Sequence, residues 1–129
     1  MIDFHPFASL TPDVVIRLVL SNMGITMIDL QRFENNVVHW AAERSILQHS
    51  TPQAQMLKLV SEMGELADNL AKGRDTKDDI GDCMVVLAII SAMQGYNLRT
   101  CAEVAWNDIK DRKGTMSKEG VFVKESDNE

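Results

Sequence analysis

The chain has 129 residues, 45% hydrophobic and 25% charged, the balance of a folded globular protein rather than a disordered one. Its net charge of -6 argues against nonspecific nucleic-acid binding, which needs a basic surface. The longest apolar run, residues 83–90, falls far short of the roughly 18 to 20 residues of a membrane span, so no membrane partner is expected.

The length suits one domain over 1–129, with an irregular start at 1–11 and a tail at 114–129. The first residues carry no basic stretch, and Asp3 and His5 interrupt them, so a secretory signal is not expected. A reducing, cytoplasmic compartment is the expectation. Cys83 and Cys101 have no metal-ligand spacing, and Cys83 opens the most apolar stretch, so it reads as a buried thiol.

Thr11-Pro12 reads as an N-cap followed by proline at the first helical position, starting a helix through residue 22. Gly24 breaks it. A second helix is predicted over 27–48, with Ile28, Phe33, Val37, Trp40, Ala41 and Ile46 close to helical spacing. Ser50-Thr51-Pro52 repeats the cap-and-proline signal and starts a third helix, to residue 72. Gly73 suits the position just past its end, and Asp75 or Thr76 suits the cap of a fourth helix over 76–94. Gly95 ends that one, and a fifth covers 98–112. After Gly114, weak alternation around Val121-Phe122-Val123 predicts a short hairpin or an arm onto a neighbour. The class is all-α: an antiparallel bundle of about five helices.

Taking 100° per residue, Met56, Leu59, Val60, Met63, Ala67 and Leu70 form one apolar stripe on the third helix. Gln55, Lys58, Glu62, Glu65 and Asn69 form a polar strip beside it, a pattern that a solvated face with a Lys58–Glu62 ion pair would also produce. The fourth helix favours a different reading. Asp79 and Asp82 share a side with Val86, Ile89, Ile90 and Met93, and buried carboxylates are costly unless paired or metal-bound. Thr76-x-x-Asp79 resembles a capping box, which would account for Asp79 but not for Asp82, a turn further in. The midpoint of the two acid pairs falls near Lys72-Gly73, so antiparallel packing about that turn brings Glu62 and Glu65 level with Asp79 and Asp82. Gly64 and Gly81, inside the pairs, are expected to leave space beside the carboxylates. Four converging acids suit a hard divalent cation.

Gln55-x-x-Lys58-Leu59-x-x-Glu62-x-x-Glu65-Leu66 followed by Asp79-x-Gly81-Asp82 resembles the MazG-like all-α nucleoside triphosphate pyrophosphohydrolases, whose signature is an E-x-x-E pair, a spacer and an E-x-x-D pair. Residues 106–114 and 120–124 look like the C-terminal part of small phage-type or bacterial members, so the likeness covers 37–125. Asp79 departs from the family pattern, which usually has Glu there. The resemblance implies a dimer or dimer-like tetramer with magnesium (manganese as a substitute) held by Glu62, Glu65, Asp79 and Asp82. It also implies hydrolysis of a (deoxy)nucleoside triphosphate to the monophosphate and pyrophosphate, one of the glutamates serving as metal ligand or as base. Lys58, Lys110 and Arg112 are candidates to hold phosphate, Asn107 to reach sugar or phosphate, and Trp40 to stack on a base. Dipole effects at a helix end would equally place Lys110 and Arg112, and a lone Trp at helical spacing is more often a core residue. The alternative function is a non-catalytic helical module that binds a metal or a partner.

Overall fold

A computed structural model describes residues 7–22 and 29–125. By internal contacts the chain divides into two units, Met1–Leu30 and Gln31–Glu129, where the sequence reads as one domain. The first carries α1 (Pro12–Asn22), with the bounds expected. Among the described residues of the second lie α2 (Leu30–Glu43, from Gln31 onward), α3 (Ile46–His49), α4 (Pro52–Ala71), α5 (Lys77–Met93), α6 (Leu98–Ile109), β1 (Gly114–Met116) and β2 (Phe122–Lys124). The fold is therefore all-α with a small C-terminal hairpin, pairing Gly114 with Lys124, Thr115 with Val123 and Met116 with Phe122.

The helix predicted over 27–48 is in fact two, its first residues lying outside the described ones. Ser45 sits in the left-handed region at φ 62°, and its N–H bonds back only three residues, to Ala42 at 3.0 Å. That conformation cannot continue a right-handed helix, so the chain turns before α3. The next boundaries follow local chemistry. Thr51 accepts a hydrogen bond from the Ala54 N–H at 3.1 Å, with Pro52 behind it, and α4 begins. At its end Gly73 takes φ 65° and bonds to the Leu70 carbonyl, while Arg74 bonds to that of Asn69. These two bonds make a Schellman cap, which needs a residue tolerant of positive φ. Gly95 and Tyr96 repeat the motif after α5, bonding to Ala92 and Ser91.

Helix α5 is the hub of the second unit, touching α3, α4 and α6. Val37 and Ala41 of α2 pack with Ala88 and Ile89 of α5 to form the core, flanked by Phe33, Ile46, Leu47, Val85, Met93 and Leu98. Helix α6 begins at an Asn97 cap that accepts from Thr100 at 2.8 Å, and its first N–H also donates to buried Glu34 of α2 at 2.6 Å.

Helix α4 packs on α5 through its polar strip. Glu62 is buried and Gln55 and Asn69 half-buried, whereas of the apolar stripe only Leu59 is buried. Met56, Val60, Met63 and Leu70 remain 47% to 62% exposed.

Candidate metal centre and its pocket

Three of the four expected acids come together. Glu62 and Glu65, one turn apart on α4, and Asp82, one turn into α5, each offer a carboxylate oxygen, all within 4.8 Å of one another. The Gly73 turn folds the helices so that these positions meet. Lys58, one turn before Glu62, donates to it at 2.9 Å.

Asp79, the fourth expected acid, stands apart from these three. It is buried, but it lies outside the three-acid group, and both its oxygens accept from Asn69 Nδ2, at 3.1 and 3.0 Å. The capping box that would have accounted for Asp79 does not form. Thr76 makes no side-chain cap bond, and Asp75 instead accepts from the Lys77 N–H at 2.9 Å. With Asn69 supplied by α4, the Asp79 carboxylate is drawn across the hairpin rather than back to its own helix end. Of the two aspartates, Asp79 is the more buried and Asp82 the half-buried one.

The electrostatics follow from this crowding. The hydrogen bond from Lys58 holds the Glu62 carboxyl below its usual range and lifts Lys58 above its own. The charge of Glu62 beside Glu65, and a hydrogen bond between them, push Glu65 up. Burial pushes Asp82 up, and the charges of Asp78, Glu62 and Asp79 add to it. Glu65 and Asp82, whose negative charge is disfavoured beside Glu62, complete a donor set that a hard cation would relieve.

Glu62, Asp82 and Lys58 also form one wall of an open pocket of about 500 Å³, lined further by Phe33, Asn36, Val37 and Trp40 of α2 and by Val85 and Val86 of α5. Trp40 is 44% exposed, at the pocket rather than in the core, and the Arg44 guanidinium lies over its ring at 4.6 Å.

The remaining candidates are not brought here. Asn107 and Lys110 are exposed on and just after α6 and line neither this pocket nor the next. Arg112 pairs with Asp108 in a separate charged cleft with Asp111, Lys113, Lys124 and Glu125. Added side chains at Gly64 or Gly81 would meet nothing within 4 Å, so packing within the described chain does not demand either glycine. The roles of Asn69, Phe33 and Asn36 were not read from sequence. Asn69 carried a signal, since reflection through the 73–75 turn sets it opposite Asp79.

No protein-family model and no solved structure matches the chain. The chain is 45% identical over 67 residues to an uncharacterized 18.2 kDa protein from the rep-hol intergenic region of Haemophilus phage HP1. The match spans 50% of this chain and 41% of the phage protein. Among the described residues, no single helix is long and apolar enough to cross a membrane.

Proposed function

We propose that this chain is a magnesium-dependent nucleoside triphosphate pyrophosphohydrolase, with Glu62, Glu65 and Asp82 as the metal ligands. The observation that carries this reading is the three-acid group, two of whose members, Glu62 and Asp82, line a pocket that also contains an aromatic ring. An all-oxygen donor set suits magnesium or manganese better than softer ions. A bound ion would neutralise phosphate charge and make water a better nucleophile. The protein's own part is placement. Trp40 and Phe33 offer apolar surface for a base, Asn36 an amide to read it, and one glutamate holds the attacking water. Lys58 is within reach of phosphate once Glu62 turns to the metal. Asp79 keeps the α4–α5 hairpin in register through Asn69.

The α6 cations do not reach this pocket within one chain, and the pocket is open, so we propose that a second copy completes it as a dimer or tetramer. Purified protein with magnesium should release pyrophosphate, not orthophosphate, from at least one member of a triphosphate panel. Glu62→Gln and Asp82→Asn should abolish release, and full activity in both would sink the assignment.

The Lys58–Glu62 ion pair favours a second reading, a non-catalytic metal- or partner-binding module, because it neutralises one acid without an ion. An inactive panel together with magnesium-dependent thermal stabilisation would select that reading.

A further inference from the structure

We propose that a second cavity, between α2, α5 and residues 95–97, binds the ammonium group of a small alkylamine, with Glu34 as its counter-charge. The cavity measures about 590 Å³ and shares no lining residue with the Trp40 pocket. At about 100° per residue, Glu34, Asn35, Val38 and His39 lie on one side of the Val37–Ala41 core stripe of α2. Phe33, Asn36 and Trp40 lie on the other.

Glu34 carries the argument. It lines the cavity yet is only 6% exposed. Its Oε2 accepts the Leu98 N–H at 2.6 Å. Among the described residues Oε1 has no hydrogen-bond partner, and none of their ion pairs includes Glu34. No buried side-chain oxygen or nitrogen among those residues lacks a partner, so Oε1 is one that a solute can reach. Capping α6 does not call for this charge. Neutral oxygens cap helices well, and Asn97 already supplies one to Thr100 at 2.8 Å. A carboxylate so buried, with one hydrogen bond and no cation, is poorly compensated. A positive group in the cavity would complete it.

The surroundings select the kind of cation. No lysine or arginine lines the cavity, and Glu34 is its one acid. A guanidinium pairs best through both carboxylate oxygens, and here Oε2 is taken. A hard divalent ion wants several anionic oxygens, and the cavity has a single carboxylate. An ammonium needs only Oε1 for its charge and has two further donors. The Gln31 amide donates to Asn35 at 3.0 Å, which leaves the Gln31 oxygen as an acceptor for one of them. Tyr96, 62% exposed, offers a ring face to the cation. Val38, Ala88 and Ala92 give a small apolar floor for the methylenes behind it. The site holds whether or not the three-acid group binds metal.

The test titrates the full chain with butylamine, followed by NMR at the Leu98 amide and at the ring of the chain's one tyrosine. Both signals should shift saturably. Butanol, the neutral analogue, should shift neither, and butylguanidine should bind more weakly. Glu34→Gln keeps an acceptor for the Leu98 N–H but removes the charge, and should weaken butylamine binding by more than about tenfold. Tyr96→Leu, at an exposed position, should weaken it severalfold at the Leu98 amide, and decides alone if Glu34→Gln fails to fold. Glu65→Gln, in the three-acid group, should leave the affinity unchanged. Absence of saturation at tens of millimolar butylamine would overturn the proposal, as would an equal response to butanol or butylguanidine. So would affinity that survives Glu34→Gln and is lost in Glu65→Gln, which would put the amine on the three acids instead.

Discussion

Asn69 and Asp79 face each other across the turn between α4 and α5, one amide nitrogen serving both carboxylate oxygens at 3.1 and 3.0 Å. Asp79 is only 7% exposed, so little water can replace that partner. Asn69→Ala should therefore destabilise the protein by about 2 kcal/mol, the cost of a buried charged acceptor left without its donor. In a double-mutant cycle with Asp79→Ala the two losses should fall well short of additive. Chemical denaturation of the four variants measures this, and simple additivity would mean that the bond contributes nothing.

The three-acid group predicts a graded response to metal. Magnesium or manganese should raise the melting temperature at fixed ionic strength. Glu65→Gln and Asp82→Asn should each weaken binding in calorimetry by roughly tenfold or more, the usual effect of disturbing a metal's ligands. Asp79→Asn, outside the group, should weaken it less than either. Equal losses at Asp79 and Asp82 would return Asp79 to the ligand set.

Glu34 supplies a buried carboxylate to the first N–H of α6 from a position 64 residues earlier in the chain. Glu34→Ala should cost about 1–2 kcal/mol, as for a lost helix cap. It should also expose the 93–98 connection to limited proteolysis before the rest of the unit is cut. Unchanged cleavage would show that Asn97 alone caps α6.

Asp75 carries the pH dependence of the α5 start. The Lys77 backbone N–H holds its carboxyl below the ordinary 3.8, and the Lys77 ammonium adds to this. A depressed carboxyl stabilises the fold above its unfolded value and loses that contribution as pH falls through the folded one. The stability gap between the unmodified chain and Asp75→Ala should thus be complete at neutral pH and shrink below 3.8. Denaturation midpoints at stepped pH test it, and a gap independent of pH would remove the electrostatic part.

What could be read from the sequence was what depends on near neighbours. Thr51-Pro52, Gly73 and Gly95 mark real boundaries because each cap is made within a few residues. Ser45 escaped detection, since serine bears no preference that announces a left-handed turn. Asn97 was legible in principle as a cap ahead of Leu98 but was not read. The facing of α4 was out of reach. Glu62 and Asn69 of its polar strip turn inward where α5 brings Asp79 and Asp82 to them, and one helix's pattern cannot state what its neighbour carries. For the same reason the partner of Asp79 came from α4 rather than from its own helix end, while Asp82, which the cap reading left unexplained, stands with Glu62 and Glu65.

The three-acid group and the apolar wall of the pocket differ in the stretch of chain they require. Glu62, Glu65 and Asp82 all belong to one helical hairpin, closed locally by the Gly73 cap. Trp40 and Phe33 reach the same place only through the Val37–Ala41 packing on Ala88 and Ile89. Loss of that core would dismantle the organic half of the site first. The three acids depend on the hairpin alone, so the proposed metal-binding and base-binding halves of the site rest on different parts of the fold.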